Sequence, residues 1–376
     1  MIKCRKIVLF RSCRFIQFTA KANHIPMEPL NAKRTQLESL IQIKIKLEEE
    51  NNHSEVQLIQ NRIKSYLVSK PLKISRVTLD SPSELLEKFI NQDKVHSIKS
   101  LDDLKDRLTN YRRIYMLHHQ DINSCSYLAF IQIALSSNIS DDISKIIPNV
   151  QRDEPESNEK ILAANFYSIN SNALGFRGIN LGSILIQKSV EELQKEFPCL
   201  VHFSTLSPLP NFRRWFLQEF SSSQREQYFC DYMAMSQQNI TEIRHQIGLI
   251  HEKLKSEIMI GQQDLVHTMD FLKYVCFRYL IKSNQNGPID PVARFHIKNG
   301  AQIFRLNPLA NSHQYGLESS FGFMANYKYH LKSMDTLSER FDLKKIISIS
   351  QNLKDFYDSL TTDLRSNIAL ENYDDY

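Results

Sequence analysis

Glycine placement is the feature that most constrains this chain. Nine of the 376 residues are glycine, and three of these fall within eight positions, at Gly175, Gly178 and Gly182. An apolar segment precedes this run and a helical pattern follows it, so we predict a strand, a glycine turn and a helix. Such a turn exposes backbone N–H groups beside a helix N-terminus, which suits a pyrophosphate group. A purely structural strand-to-helix connection explains the spacing equally well.

Short strands and helices alternate along the rest of the chain. The composition of residues 30–69 predicts two helices that are separated near Asn51. Apolar residues at 41–47 also recur at every second position, a pattern that is typical of a strand. Strands are predicted at 72–79, 112–117, 127–135, 161–170 and 201–206. Helices are predicted from Ser81, from Ser100, at 181–197, across 211–283 and at 339–362, with an exposed loop at 148–159 and strand-like or loop segments at 294–322. This alternation indicates an α/β or α+β domain behind a short helical prefix.

The first 27 residues have the composition of a targeting segment. They contain six basic residues and no Asp or Glu, with apolar residues between the charges, as in a mitochondrial transit peptide. Arg11 and Arg14 interrupt the apolar core that a secretory signal would need, and a basic, disordered terminus is the other alternative. Removal of this segment would change the formal charge from +5 to −1, so nucleic-acid binding loses its main support.

Other protein classes are excluded by what the sequence lacks. No apolar run approaches the about 20 residues of a membrane-spanning helix, so no integral membrane segment is expected. The six cysteines are scattered without a C-x-x-C pair, which is typical of reduced thiols in an intracellular compartment. The twelve histidines form no zinc-binding motif, so we expect no metal site.

Two further residues are candidates for chemistry, each with a structural alternative. Ser207 follows an apolar strand and precedes Pro208 and Pro210, which would hold its hydroxyl on a rigid backbone. An N-cap of the helix that follows is the alternative role for this serine. His296 lies near Gly300 and, taken in isolation, is better explained by a structural role than by a catalytic one.

Several segments in this order resemble the malonyl-CoA decarboxylase family. The resemblance extends over about residues 72–330 and rests on Arg76–Pro82, Tyr111–Arg113, Asn165–Ile169, Gly175–Gly182, Glu196–Leu200, Phe203–Pro210, Phe295–Ala301, Arg305–Asn307 and Met324–Tyr329. It implies the α+β class, with a short helical region at 28–71 and a GNAT-like, acetyltransferase-type catalytic domain at 72–376. It also implies cofactor-independent conversion of malonyl-CoA into acetyl-CoA and carbon dioxide.

The resemblance also implies roles for individual residues. The family's catalytic serine, histidine and tyrosine correspond to Ser207, His296 and Tyr329. The loop that would bind the coenzyme A pyrophosphate, together with its neighbours, comprises Gly175, Phe176, Arg177, Gly178, Asn180, Gly182 and Asn299. A homo-oligomer through the helical region is a further implication, and the mitochondrial matrix is the expected location, with cytoplasm and peroxisome as alternatives.

The chemistry explains why these residue types suffice. Loss of carbon dioxide from a malonyl thioester leaves an enolate whose charge the thioester delocalises, so the protein must orient the carboxylate, stabilise the enolate oxygen and deliver a proton to carbon. Our hypothesis is that Ser207 orients the malonyl group while His296, hydrogen-bonded to it, governs proton delivery, and Tyr329 completes the set of donors. A covalent malonyl-serine is the alternative role for Ser207.

The chain also departs from the family pattern. Asn180 stands where the family loop usually carries a glutamate, Pro308 and Asn311 replace a usual Trp and Asp, and the helical prefix is shorter. An active malonyl-CoA decarboxylase is the first interpretation. An acyl-CoA-binding family member with weak or lost activity is the second, favoured by Asn180, and a GNAT-type acyltransferase is the third.

Overall fold

The chain builds one mixed β-sheet with helices on both faces. The structure is a computed structural model. It describes residues 35–93, 96, 98–122, 127–147, 157, 160–171, 175–176, 178–220, 245, 248–250, 252, 265, 268–358 and 370–372. The predicted targeting segment therefore lies outside the described residues, as does most of the predicted loop at 148–159.

Two antiparallel helices precede the sheet, as the sequence predicted. Helix α1 (Gln36–Glu49) begins at a capping box formed by Thr35, and α2 (His53–Ser69) begins at Asn52, after Asn51 has turned the chain with a φ of 56°. Along α1, Ile41 is buried whereas Ile43 is 42% exposed, so the period-two alternation of this segment does not correspond to a strand. Apolar residues of both helices join the main core, which also contains one face of the sheet.

Four strands and a crossover helix form the first half of the sheet. Strands β1 (Lys73–Val77), β2 (Arg112–His118), β3 (Ala129–Ser136) and β4 (Ala163–Ser171) pair antiparallel in that order. Helix α5 (Leu181–Glu196) then carries the chain back so that β5 (His202–Thr205) pairs parallel with β4. Helices α3 (Ser83–Gln92) and α4 (Leu101–Asp106) pack in a second apolar cluster against β1–β3.

The second half of the sheet continues from β5. Its strand order is β5, β10 (Met324–Tyr329), β9 (Ala301–Asn307), β11 (Ile347–Ile349) and β12 (Leu370–Asn372), and the short β6 (Ser207–Pro208) also pairs with β10. A small separate hairpin comprises β7 (Ser283–Asn284) and β8 (Gly287–Pro288). The remaining helices are α6 (Phe212–Phe220), α7 (Met269–Ile281), α8 (Pro291–Lys298), α9 (Gln314–Ser320), α10 (Met334–Lys344) and α11 (Gln351–Asp358). This arrangement confirms the α+β class.

Two sequence predictions were wrong at their boundaries. The segment at 294–322, predicted as strand and loop, contains β9 but also two helices. Helix α8 occupies residues 291–298 and begins at the cap residue Asp290 followed by Pro291, and α9 occupies residues 314–320. The helix predicted at 339–362 is two helices, α10 and α11, separated by strand β11. The helices predicted across 211–283 are present as α6 and α7, with most of the intervening segment outside the described residues.

Candidate active site

The site begins where β5 leaves β4. The two strands pair from Ala163 to Phe166 only, and β4 then continues to Ser171 paired with β3 alone. Residue Ser207, two positions after β5, pairs instead with Ala325 of β10. The Leu206 N–H still donates to the carbonyl of Phe166 on β4 at 3.2 Å, and Ser207 then lies in the strand that pairs with β10. Ser207 is therefore part of a strand and not the N-cap of a helix.

Helix α8 brings His296 to this serine. Its N-cap Asp290 is completely buried, accepts the backbone N–H groups of Val292 and Ala293, and accepts the Tyr279 hydroxyl at 2.8 Å. This fixed start determines where the second turn of the helix lies, and His296 is on that turn. The imidazole stacks on the ring of Tyr327 at a centroid distance of 4.5 Å.

Four side chains form one continuous hydrogen-bonded chain. His296 Nε2 lies 3.1 Å from Ser207 Oγ, and His296 Nδ1 lies 2.7 Å from the hydroxyl of Tyr329. Ser207 Oγ also lies 2.9 Å from Thr205 Oγ1, which accepts the backbone N–H of Tyr327. All of these side chains are buried. The structure thus brings together Ser207, His296 and Tyr329, which are 89 and 33 residues apart in sequence.

Burial keeps every group in this chain electrically neutral. Desolvation lowers the pKa of His296 to about 3 and raises the pKa of Tyr329 well above its ordinary value. At neutral pH the imidazole therefore carries one proton and the phenol keeps its own. A neutral imidazole bonded at both nitrogens donates on one side and accepts on the other.

The neutral chain has two consistent arrangements of its protons. In one, Tyr329 donates to Nδ1, Nε2–H donates to Ser207, and Ser207 donates to Thr205. In the other, Thr205 donates to Ser207, Ser207 donates to Nε2, and Nδ1–H donates to Tyr329. The single hydroxyl proton of Ser207 can serve only one neighbour at a time. Exchange between the two arrangements requires the other imidazole tautomer and rotation of the hydroxyl groups, because a relay of every proton by one step would leave Tyr329 an anion and Thr205 with an extra proton.

The predicted glycine turn has the strand-to-helix position that the sequence indicated. Gly175 and Gly178 have φ values of +83° and +79°, in the left-handed region that favours glycine. A Cβ at Gly175 would lie 2.7 Å from Ile41 Cγ2, and the carbonyl of Gly178 accepts the Gln60 side chain at 2.9 Å. Close packing against the N-terminal helices therefore requires these glycines independently of any ligand. Phe176 between them is buried, and Arg177 lies outside the described residues.

The start of α5 connects this turn to the helix that carries His296. Asn180 is the N-cap of α5, is exposed, and makes no capping bond with its side chain. A Cβ at Gly182 would lie 2.3 Å from the Phe295 ring and 3.3 Å from Asn299 Nδ2. Asn299 Nδ2 is buried without a hydrogen-bond partner in the described structure. The predicted glycine loop and Asn299 are therefore neighbours, and the buried Nδ2 donor of Asn299 lies where they meet.

Sequence reasoning missed two residues of the site. Thr205 was not identified, although its position two residues before Ser207 places both side chains on one side of an extended chain. Tyr327, two residues before Tyr329, has the same relation to that tyrosine. Among the described residues, no three His, Cys, Asp or Glu side chains are arranged to hold a metal ion. In the same part of the chain, no helix has the length and apolar character needed to cross a membrane.

Comparison with known families and curated proteins gives consistent results. A family model described as the malonyl-CoA decarboxylase C-terminal domain matches residues 71–367. The mitochondrial malonyl-CoA decarboxylase of Rattus norvegicus is 34% identical over 324 residues, which are 83% of this chain and 64% of the relative. The corresponding protein of Anser anser anser is 33% identical over 80% of this chain and 60% of the relative. The chain therefore spans a little under two thirds of the length of these relatives.

Two solved structures have the same fold. The malonyl-CoA decarboxylase of Agrobacterium vitis matches with a TM-score of 0.70 at 27% identity, covering 85% of this chain and 75% of that chain. The malonyl-CoA decarboxylase of Rhodopseudomonas palustris has a TM-score of 0.65 with the same identity and coverage.

Proposed function

This chain belongs to the malonyl-CoA decarboxylase family, and we propose that it converts malonyl-CoA into acetyl-CoA and carbon dioxide. The observation that carries the proposal is the buried hydrogen-bonded chain of Thr205, Ser207, His296 and Tyr329, at the point where the chain after β5 leaves β4. It provides a fixed hydroxyl donor and a neutral imidazole in a site from which water is largely excluded, where hydrogen bonds to a developing charge are most effective.

Coenzyme A would bind at the glycine turn. Left-handed glycines at the start of a 16-residue helix present backbone N–H groups and the positive end of the helix dipole to a pyrophosphate. Arg177 would add a charge contact, and Asn299 Nδ2, buried without a partner among the described residues, would donate to the pantetheine or acyl part of the substrate. We propose that no further cofactor takes part.

The reaction needs one bond broken and one proton added. The bond between the α-carbon and the carboxylate breaks, its electron pair moves into the thioester to form an enolate, and carbon dioxide leaves. One proton then adds to the α-carbon. In our mechanism the Ser207 hydroxyl turns from Thr205 to the thioester oxygen and stabilises the enolate. The His296 Nε2–H supplies the proton, Tyr329 gives its hydroxyl proton to Nδ1, and a proton taken up from solvent restores Tyr329, so that one proton is consumed overall.

Ser207 has a non-covalent role in this mechanism. If Ser207 were the nucleophile, a malonyl ester would form on its oxygen and coenzyme A would leave before decarboxylation. Intact-protein mass spectrometry after rapid mixing with malonyl-CoA distinguishes the two routes. We expect no added mass, and an adduct that is lost in Ser207→Ala would contradict the non-covalent role.

One observation favours a second candidate function. Asn180, which replaces the family's usual glutamate, is an exposed amide and supplies no carboxylate at the start of α5. A chain with this change could bind acyl-CoA thioesters with weak or no turnover. Asn180→Glu tests this reading, because a large increase in turnover would identify the missing carboxylate as the limiting group.

We also propose a mitochondrial location, in the matrix. Its support is the acid-free, basic composition of residues 1–27 and the word mitochondrial in the names of the curated relatives. Association of copies through the helical region is part of the same proposal. Fractionation of cells and light scattering on the purified protein test the location and the oligomeric state.

The primary test is release of carbon dioxide and acetyl-CoA from malonyl-CoA by the purified protein. We expect Ser207→Ala and His296→Ala each to lower kcat by about 10²–10⁴-fold. Ser189→Ala is the matched serine control, because the Ser189 hydroxyl is buried on α5 without a hydrogen-bond partner in the described structure. His118→Ala is the histidine control.

The outcomes separate the candidate functions. Turnover that survives both site substitutions would overturn the assigned residues. Absence of turnover, with malonyl-CoA still bound, would favour the acyl-CoA-binding protein. Product formation that requires an added amine would favour an acyltransferase.

A further inference from the structure

One peptide unit lies between the two hydroxyl groups at the end of the hydrogen-bonded chain. Thr205 precedes this unit and Ser207 follows Leu206, so a rotation of the unit would move both side chains. The Leu206 N–H donates to the carbonyl of Phe166 on β4 at 3.2 Å. The Thr205 carbonyl points the opposite way, as in any trans peptide, and accepts from the side chain of Asn326 on β10 at 2.7 Å. The peptide unit is therefore held from β4 on one side and from β10 on the other.

The carboxamide of Asn326 has a partner for each of its hydrogen-bonding positions. Asn326 is completely buried, and its Nδ2 donates to the carbonyl of Ser140 at 3.0 Å as well as to the carbonyl of Thr205. Its Oδ1 accepts Arg305 Nε at 3.1 Å and Asn307 Nδ2 at 2.7 Å. Both partners of Nδ2 are carbonyl oxygens, whereas both partners of Oδ1 are N–H donors, so one orientation of the amide satisfies all four. A carboxylate of the same shape would place an oxygen against two carbonyl oxygens.

The bond from Asn326 is the shorter of two that reach the Thr205 carbonyl. Ser204 Oγ lies 3.2 Å from the same carbonyl, but it also lies 3.3 Å from the carbonyl of Tyr327. The single proton of the Ser204 hydroxyl serves one of these carbonyls at a time. Loss of the Asn326 donor would therefore leave a shared hydroxyl as the donor that the described residues offer to this carbonyl, and the peptide unit would gain freedom to rotate.

We propose that Asn326 is a positioning residue, whose amide holds the peptide unit after Thr205 so that Ser207 Oγ stays within hydrogen-bond distance of His296. The expected effect on turnover rests on the proposed function, whereas the expected effect on the geometry of the site does not. Asn326 acts through the backbone of Thr205. Its loss should therefore lower the rate of the chemical step and leave the affinity for malonyl-CoA nearly unchanged.

Asn165 on β4 provides a matched control. Its side chain is also completely buried, and its Oδ1 accepts the Ser140 N–H at 2.8 Å. Its Nδ2 donates to Ser136 Oγ at 2.7 Å and to the carbonyl of Asn138 at 3.4 Å. The two amides thus hold the backbone of Ser140 from both sides, one at its N–H and the other at its carbonyl. Of the two, Asn326 is the one that also donates to Thr205.

The first measurement is steady-state turnover of malonyl-CoA by the purified full chain and its variants. Asn326→Asp and Asn326→Ser both remove the Nδ2 donors, and we expect each to lower kcat by at least about ten-fold, with KM within about three-fold of the parent value. Asn165→Asp removes the equivalent donors beside the same backbone segment and should keep kcat within about three-fold. Near-ultraviolet circular dichroism shows whether each variant is folded.

The second measurement does not depend on turnover. Nitrogen-15 NMR of histidine-labelled protein reports which imidazole nitrogen carries the proton and how each nitrogen is hydrogen-bonded. The chain has twelve histidines, and the signals of His296 are those that disappear in His296→Gln. We expect these signals to shift in both Asn326 variants, because Ser207 Oγ moves relative to Nε2. They should keep their positions in Asn165→Asp.

Four results would overturn the proposal. They are a kcat retained in folded Asn326 variants, an equal fall of kcat in Asn165→Asp, unchanged His296 signals in the Asn326 variants, and failure of both Asn326 variants to fold, which would make Asn326 a structural residue. Absence of turnover in the parent protein would count against the proposed function alone, and the NMR comparison would still decide the role of Asn326.

Discussion

Two buried clusters of polar side chains in this protein differ in charge. On the α8 side of the sheet, Thr205, Ser207, His296 and Tyr329 form a chain of neutral side chains. On the α3–α4 side, a cluster around Asp93 contains full charges, with Arg107 bonded to Asp103 at 3.0 Å and lying 3.6 Å from Asp93. We call these groups the neutral chain and the ionic cluster.

Several donors surround the Asp93 carboxylate of the ionic cluster. Asp93 accepts from Ser168 and Asn170 of β4, from the backbone of His96 and from the side chain of Gln132. Such a group resists any rearrangement, because moving one member leaves a buried charge unpaired. It therefore holds the carboxyl end of β4, from which the glycine turn starts.

The neutral chain differs because its members carry no net charge and the single hydroxyl proton of Ser207 has two possible partners, Thr205 and His296. Rotation of this hydroxyl from one partner to the other leaves all heavy atoms in place. This comparison suggests that the ionic cluster provides rigidity and the neutral chain provides chemistry.

Loss of the central cation should have the largest effect. Arg107→Met leaves Asp93 and Asp103 buried without their cation, so we expect the free energy of unfolding to fall by about 3–5 kcal/mol. The surface pair of Arg76 with Glu196 gives the matched control, and Arg76→Met should cost less than about 1 kcal/mol. Urea denaturation measures both, and equal losses would remove the distinction between the two kinds of ion pair.

A substitution in the neutral chain should lower activity much more than it lowers stability. Tyr329→Phe removes the hydroxyl at Nδ1 and is expected to lower kcat by about 10²-fold, because His296 loses the group that restores its proton. Its free energy of unfolding should change by only about 1 kcal/mol. The Tyr329→Phe variant should have a KM within a few-fold of the parent value. A loss of stability with kcat unchanged would make Tyr329 a structural residue.

The sequence predicted the local elements better than the contacts between them. The glycine turn and α5 were found because a strand pattern, glycines and a helix pattern follow one another within about 35 residues. Helix α8 was missed because it is short, although Asp290 followed by Pro291 is a recognisable start. The hydrogen bonds of His296 depend on strand order, which places β6 and β10 beside each other across more than 100 residues.

The ionic cluster could not be predicted at all. Asp93 and Arg107 are of residue types that are almost always exposed, and no periodic pattern distinguishes them from surface residues. Their burial follows from the packing of α3 and α4 on the sheet. The roles of Ser207, His296 and Tyr329 came from family resemblance, and the structure supplies only the geometry that joins them.

The pH dependence of the free energy of unfolding can be compared between the two groups, because each group contains a histidine. Burial lowers the pKa of His296 to about 3 and the pKa of His96 in the ionic cluster to about 4. Below about pH 6.5 the unfolded chain binds a proton that the folded protein does not, so stability falls as the pH falls towards these folded values. Each histidine can contribute a slope of up to about 1.4 kcal/mol per pH unit.

Urea denaturation between pH 7 and pH 5 measures this dependence. His296→Gln should lose less stability than the parent over this range. His96→Gln should show a similar difference over this range, because both folded pKa values lie below pH 5, and the two variants should separate only as the pH approaches 4. Parallel pH profiles for parent and His296→Gln would mean that His296 takes up its proton at a normal pH.

The smallest effect concerns the end of the neutral chain. Thr205→Val keeps the shape of the side chain but removes the oxygen that contacts Ser207 and accepts the Tyr327 backbone N–H. We expect kcat to fall by about ten-fold, since Ser207 loses the partner that holds its hydroxyl ready for the substrate. Thr205→Ser retains the oxygen and should restore most of the activity. If Thr205→Ser were as impaired as Thr205→Val, the methyl group and not the hydroxyl would be the important contact. The neutral chain would then end at Ser207.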